Sequence, residues 1–414
     1  MILSSQPNET ISLKKLLTTA VVVAALGYFV DIYDLLLFSI VRVKSLTDLG
    51  LSGVELTDKG LLLINMQMAG MLIGGIFFGV LGDKKGRLSI LFGSILLYSI
   101  ANILNGFVRD YQTYALLRFF AGVGLAGELG AGVSLVSESL PKEVRGLGTM
   151  IIASVGVSGA IFAWVVSDLF AWRTSYFIGG GLGLLLLALR LGVYESGLFS
   201  KMHENKEVSK GNFLSLFTSL DRFKRYLSCI LIGFQFWYMV GILITLSPEF
   251  AKALNVDGSI LAGKAVMFCY AGLTLGDFAS GLLSYLFKSR KNILILFMLL
   301  SSLANIAFFY VGGVSSSFFY GLCFLMGLFS GYWALFVTVA AENFGTNLRA
   351  TVATTVPNFV RGSLVPVSAL FAYLKTQTDM IHAGMIVGLI CIVISFLGIF
   401  MYRDTYFKDL NYYE

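Results

Sequence analysis

Gly79-Val80-Leu81-Gly82-Asp83-Lys84-Lys85-Gly86-Arg87 places one acid and three cations between two long apolar runs, 58–81 and 88–107. Its glycines permit a tight turn, and an acid at a helix end can latch onto the positive end of a neighbouring helix dipole. Cations clustered between apolar runs are also where a membrane chain keeps its cytoplasmic anchors. The segment therefore reads either as a basic turn between two membrane spans or as a latch between neighbouring helices.

Working outward, apolar runs longer than about 18 residues predict helices at 16–41, 58–81, 88–107, 112–138, 146–170, 174–194, 226–247, 261–287, 292–311, 315–341, 350–373 and 382–403. The fold class expected is an all-α membrane protein of twelve spans. Composition agrees: 57% of the 414 residues are hydrophobic, about 236 side chains against the ~240 that a dozen 20-residue spans need. Charged residues make up 13%, roughly half the share in a soluble protein, and the mean hydropathy is +0.82. A water-soluble enzyme of this composition would expose far more apolar surface than its core could hide.

The longest polar stretch divides the chain into a bundle at 1–194, a linker at 195–225 and a bundle at 226–414. With the N-terminus cytoplasmic, the inner loops and tails hold about 19 of the 30 Lys and Arg, the bias that orients membrane proteins. Both termini are expected inside, and the net charge of +6 reports topology rather than nucleic-acid binding. The four cysteines lie within apolar runs without metal or redox spacing, and His203 and His382 offer no metal pair, so no metal or cofactor is expected.

The halves echo each other. Glu138-x6-Arg145 recurs 204 residues on as Glu342-x6-Arg349, and Gly127 falls opposite Gly331 at the same offset. Parallel six-span repeats place a substrate site near mid-membrane between the halves. The spacing G-x-x-x-D-K-x-G-R in the opening segment resembles the signature loop of the major facilitator superfamily, between spans 2 and 3 as in that family. Arg118-Phe119-Phe120-Ala121-Gly122-Val123-Gly124 resembles its span 4 signature, and Glu138-x6-Arg145-Gly146 and Tyr194-Glu195-Ser196-Gly197-Leu198-Phe199 resemble motifs of sugar porters and of organic-ion or metabolite:proton symporters. The resemblance implies two pseudo-symmetric six-helix bundles, alternating access, and a cytoplasmic gate at Gly79, Asp83, Gly86, Arg87, Glu138, Arg145, Glu342 and Arg349. Those charges would bridge the two halves when the inner side is shut.

Charges inside the spans are few, and each costs ~2.5–3.5 kcal/mol or more at a helix centre. Asp34 is expected ~10 Å below the outer end of span 1 and Arg118 ~9 Å below that of span 4, with Asp31 deeper. A carboxylate and a guanidinium at one depth form a proton switch, or the acid simply neutralises the arginine without titrating. Glu128 and Arg361 form a second level near mid-membrane, where the resemblance implies that Arg361 faces an anionic substrate; otherwise it is the fixed counter-ion of Glu128. Gln235, Trp237, Tyr238, Tyr332, Trp333 and Asn358 fall on helices that line the family's cavity and are candidate substrate contacts.

The function expected is proton-coupled uptake of a small organic anion or related metabolite by a monomer in a bacterial inner membrane, its partners being the solute, protons and the lipid bilayer. Alternatives are an exporter or antiporter, or a facilitative carrier of phosphate, sugar, amino acid, nucleoside or siderophore. A non-transporting sensor is disfavoured by the retained intramembrane charges.

Overall fold

A computed structural model describes residues 19–85, 87–128, 130, 142–189, 213–408 and 412–414. Among these residues the structure is helical, with no strand beyond an isolated bridge between Asp257 and Ser315. Span 1 is Thr19–Asp48, span 2 Gly53–Lys85, span 3 Arg87–Asn105, and span 4 opens as Tyr111–Leu125. Span 5 joins Lys142–Val157 to Gly159–Leu169, and span 6 is Trp172–Leu189. Span 7 is pieced from Leu220–Ile232, Phe234–Tyr238, a π-helical turn at Met239–Ile244, and Ser247–Ala253. Span 8 is Ala262–Phe287, span 9 Arg290–Ala307, and span 10 is broken into Ser316–Phe329 and Trp333–Glu342. Span 11 joins Thr346–Gly362 to Leu364–Gln377, and span 12 is Met380–Met401. Nine helices among the described residues are long and apolar enough to cross a membrane.

Short polar caps start these helices. Asp110 accepts from the Thr113 N–H at 2.8 Å, and Asp379 accepts from the Ile381 and His382 N–H groups at 2.8 and 3.0 Å. Such caps satisfy backbone donors that a helix start leaves orphaned. Glycine then sets how closely the helices pack: a Cβ on Gly70 or Gly122 would collide with the Phe119 or Gln67 carbonyl, so spans 2 and 4 meet backbone to backbone.

The contacts repeat with an offset of six spans. Span 2 packs on span 4 as span 8 packs on span 10, and span 1 packs on span 6 as span 7 packs on span 12. Across the middle, span 2 meets span 11 and span 8 meets span 5, the same pairing seen from either half.

Span 1 differs from expectation. The apolar run ends near 41, but the helix continues to Asp48, and both cations in the extension, Arg42 and Lys44, find partners within the protein. Arg42 is fully buried and pairs with Glu249 of span 7 at 2.7 Å, and the Lys44 ammonium donates to the Ser167 carbonyl at 3.0 Å.

Contacts between the halves are made at both ends of the groove among the described residues. At the Arg42 end, Arg42–Glu249 is joined by Thr57 donating to Glu249, by Lys375–Asp58 at 2.9 Å, and by Ser368 donating to Asn65 at 2.9 Å. At the Lys85 end, Gly79 lies against Thr351, whose hydroxyl donates to the Gly79 carbonyl at 3.2 Å, and Gly130 lies against Thr354.

Candidate functional site

The centre of the groove is lined from six spans, with Val157 from span 5 and Tyr270 and Leu273 from span 8. Tyr28 comes from span 1, Phe236 and Trp237 from the broken stretch of span 7, Trp333 from the first residue after the break in span 10, and Arg361 from the last turn before the break in span 11. These helix breaks bring side chains inward, because irregular backbone is tolerated at membrane depth where protein or a cavity surrounds it. The Arg361 guanidinium carbon sits 5.8 Å from both the Trp237 and Trp333 ring centres, within cation–π range. Trp333 stacks on Phe236 at 4.6 Å and donates its indole N–H to the Tyr28 hydroxyl at 3.0 Å, linking the two halves at the centre.

Arg361 is buried yet incompletely satisfied. Its Nη1 donates to Asn358 Oδ1 at 3.3 Å, while Nε and Nη2 have no partner among the described residues. No carboxylate, Glu128 included, lies within ion-pair distance of it among the described residues. A buried guanidinium with two free donors on one edge is shaped for an acceptor that arrives from outside, and a carboxylate fits bidentately. The cavity beside it measures about 10 Å³, room for roughly one water.

A second polar level lies beside span 6. Arg118 is buried, donates to Asn102 Oδ1 at 2.7 Å and Asn105 Oδ1 at 3.1 Å, and lies 4.9 Å from the Tyr176 ring centre. Asp34 is fully buried within reach of the Arg118 charge and beside Asn102, with Oδ1 against Gly179. Neither Asp34 oxygen has a hydrogen bond of normal length among the described residues, so the expected Asp34–Arg118 ion pair is replaced by proximity, with two asparagines holding the arginine. Asp34 is ~21 Å from the Asp48 end of its own helix, because span 1 continues past the expected end near 41. Asp31 is also fully buried, and the Tyr28 hydroxyl lies within electrostatic reach of Asp31 and Arg361, connecting the two levels.

Several expected contacts go elsewhere. Gln235 uses its whole side chain within spans 7 and 9: Nε2 donates to the Met298 carbonyl at 3.2 Å, and Oε1 accepts from Ser302 at 3.2 Å. Tyr238 points away from the centre and donates to the Gly384 carbonyl of span 12 at 2.7 Å. Tyr332 packs against Phe236 behind the cluster. Asn358 orients Arg361 and seals the groove, its Nδ2 donating to the Ala126 carbonyl of span 4 at 2.8 Å. Glu128 is buried on span 4.

At the Lys85 end, Gly86 and Glu138 lie outside the described residues, as do the side chains of Asp83, Arg87 and Arg145. Among the described residues Glu342 bonds within its own half. It pairs with Arg290 of span 9 at 3.1 Å and accepts from Thr405 at 2.7 Å, tying spans 9 and 10 to the segment after span 12. Arg349 is buried and donates to the Phe344 carbonyl at 3.5 Å.

Three features escaped the sequence reading. Tyr28 stands one turn before Asp31 and could have been found from that spacing. Asp277 is a lone acid within the apolar run of span 8, the same signal that marked the other intramembrane charges. The Arg42–Glu249 pair carried no signal, since its members are 207 residues apart.

Apolar helices in two repeated sets, closed around a buried guanidinium and a second acid–arginine level, define an integral multi-pass membrane protein built as a carrier. The sequence profile of the Major Facilitator Superfamily matches residues 17–362, and the chain belongs to that superfamily, whose members are transporters rather than enzymes. It is 31% identical over 199 residues to the sialic acid transporter NanX of Escherichia coli (strain K12), covering 47% of each chain. It is 30% identical over 176 residues to the niacin transporter NiaP of Acinetobacter baylyi (strain ATCC 33305 / BD413 / ADP1), covering 42% of this chain and 39% of that one. The chain thus matches about half the length of the first relative and less of the second. Its fold is similar to that of the proton:xylose symporter XylE bound to 6-bromo-6-deoxy-D-glucose, with a TM-score of 0.72, 15% identity, and coverage of 95% of this chain and 97% of that one.

Proposed function

We propose that the protein takes up a small organic carboxylate together with protons, the six-span bundles 1–194 and 226–414 rocking about the central groove with 195–225 as their linker. The observation that carries this reading is Arg361, a buried guanidinium with two free donors beside Trp237 and Trp333. The indoles offer faces to an apolar or aromatic body while the arginine takes the charge. The solutes named for the two relatives, sialic acid and niacin, both carry a carboxylate. The small cavity is consistent with a closed intermediate that must open before a solute enters.

Asp34 or Asp31 carries the proton. While the acid is ionised it holds Arg118 at its level, and protonation frees Arg118 to its asparagine partners and Tyr176. Glu128 serves as a further proton or solute contact. Each proton entering with a 100 mV inside-negative potential contributes ~2.3 kcal/mol, so a singly charged anion needs at least two protons for the potential to help it. In this reading the Lys85 end is cytoplasmic and both termini are inside a bacterial inner membrane. The chain acts as a monomer, and the cytoplasmic gate charges Asp83, Arg87, Glu138, Arg145 and Arg349 close the inner side.

The test is thermal stabilisation of the purified protein by nicotinate, benzoate, N-acetylneuraminate and the neutral nicotinamide. A ligand at a hundredfold excess over its Kd stabilises by ~2.7 kcal/mol. At least one carboxylate should raise Tm, nicotinamide should not, and Arg361→Ala should abolish the rise. Equal stabilisation by nicotinate and nicotinamide, or a rise that survives Arg361→Ala, would overturn the assignment.

A further inference from the structure

Asp277 is fully buried on span 8, and its surroundings tie it to the break in span 10. Its neighbour Gly276 packs against Gly331 so closely that a Cβ on either would collide with the backbone of the other. Span 10 stops at Phe329, and the Tyr332 N–H turns back to the Ser330 carbonyl at 2.8 Å before the second half begins at Trp333. Tyr332, the residue preceding this half-helix, makes no side-chain cap. The cap comes from the neighbouring span instead: Asp277 Oδ1 accepts the Ala334 N–H at 3.0 Å, and the Trp333 N–H also faces the carboxyl.

The second oxygen, Oδ2, has no partner, and no Lys, Arg or His lies within ion-pair distance among the described residues. A carboxylate so placed is opposed by desolvation and favoured by the positive end of the ten-residue half-helix Trp333–Glu342. The titratable groups facing this region are Tyr28 of span 1, Tyr270 of span 8, Tyr332 of span 10 and Arg361 of span 11, with Asp31 beyond Tyr28. The other charged groups on elements packed against span 8 are Asp34, Arg42, Lys44 and Asp48 of span 1, Asp168 of span 5, Glu249 and Lys252 of span 7, Arg290 and Lys291 of span 9 and Glu342 of span 10, with Lys264 on span 8 itself; all but Asp34, which lies at the Arg118 level, stand toward the ends of their spans.

We infer that Asp277 is a proton-accepting positioning residue of the second bundle, which sets the break in span 10 and thereby holds or releases Trp333 from Tyr28 and Arg361. Ionised, its charge grips the first N–H groups of the half-helix and fixes Trp333 in the cluster. A proton delivered by hydronium forms an O–H bond on the carboxyl as one O–H bond of hydronium breaks and water is released; this removes the charge, weakens the cap, and lets Trp333 move off the arginine edge where a carboxylate would bind. This deepens the carrier reading by placing a titrating acid in each bundle, and it supplies the second proton that an anion requires.

The test uses full-length protein in nanodiscs with no organic solute, the proton being the probe. The four tryptophans are labelled as 5-fluorotryptophan, and the Trp333 fluorine resonance is assigned with Trp333→Phe and followed over roughly pH 5 to 9. Wild-type protein should show a Trp333 shift with one proton-linked midpoint, accompanied by a buried carboxylic-acid C=O band in pH-difference infrared spectra. Asp277→Asn, which can still accept the Ala334 N–H, should lose both, and Asp277→Glu should move the midpoint by about half a unit or more. A Trp333 shift whose midpoint is unchanged in both variants, or its absence from the wild-type protein, would overturn the inference. Because no solute is present, failure of anion binding at Arg361 leaves this result standing, and a negative result here leaves the Arg361 assignment intact.

Discussion

Gln235 and Arg361 are both polar side chains sealed within apolar spans, and their hydrogen bonds assign them opposite work. Gln235 has its donor and acceptor engaged by Met298 and Ser302, whereas Arg361 keeps two donors free. Replacing Gln235 with leucine leaves the Ser302 hydroxyl without that partner, and a lost buried hydrogen bond costs ~1–3 kcal/mol. Gln235→Leu should therefore lower Tm while leaving the half-saturating concentration for carboxylate uptake within about twofold of wild type, a shift of only ~0.4 kcal/mol. A large loss of affinity with unchanged Tm would return Gln235 to the solute. At this scale the sequence shows which residues are scarce and costly inside a membrane, and Asp31, Asp34, Arg118, Glu128 and Arg361 are all buried. It does not show which neighbour meets each one. Arg118 rests on Asn102 and Asn105, which are unremarkable in a polar count but stand in register on span 3.

The helix breaks and helix ends do the positioning. Spans 7, 10 and 11 are interrupted beside the central cluster, and proline marks span 11, through Pro357 within the helix and Pro366 beyond Gly362, and the last piece of span 7, through Pro248. The break in span 10 depends on Gly276 and Gly331 meeting across two helices, and no local pattern encodes that contact. The extension of span 1 likewise depends on a distant partner, since Arg42 is buried against Glu249 and the Thr245 carbonyl. Removing one member of a buried ion pair typically costs ~3–5 kcal/mol, and less where a partner is partly exposed, as Glu249 is. Glu249→Gln should weaken closure at the Arg42 end, and a gain of ~1.4 kcal/mol for the open state already means tenfold. The readout is labelling of Ile40→Cys by a membrane-impermeant maleimide, expected to be about tenfold faster or more in the Glu249→Gln background. An unchanged rate would show that the pair does not hold this end. After span 12, burial pushes the Asp404 carboxyl up, but donation from Ser289 and from the N–H groups of Tyr406, Arg290 and Lys291 outweighs it, so its pKa is lowered. A lowered folded value stabilises above the usual carboxylate range and is lost as pH falls through that folded value. Acidification should therefore increase hydrogen exchange in 402–408, and Asp404→Asn should remove that pH dependence.

Across the whole molecule, the apolar runs and the loop at 79–87 were enough to indicate the helical membrane fold, because bilayer thickness dictates span length and charge bias punctuates the loops. The repeated Glu-x6-Arg motif was legible as a sign of duplication, and the acid of its second copy, Glu342, ties the second half together through Arg290 and Thr405. The halves meet through two paired crossings, span 2 on span 11 and span 8 on span 5, with Trp333–Tyr28 between them and Arg42–Glu249 at one end. Such a molecule can move as two bodies only if each end opens while the other stays shut, and the proposed role of the acids is to make that exchange depend on protons and solute together. The most direct measurement is proton movement in weakly buffered proteoliposomes on addition of the carboxylate that most stabilises the wild-type protein. The account predicts uptake of at least two protons per singly charged anion and an inward positive current, both lost in an Asp31→Asn, Asp34→Asn double mutant that still binds the solute. Solute uptake without proton entry, or proton entry unchanged in that double mutant, would contradict it.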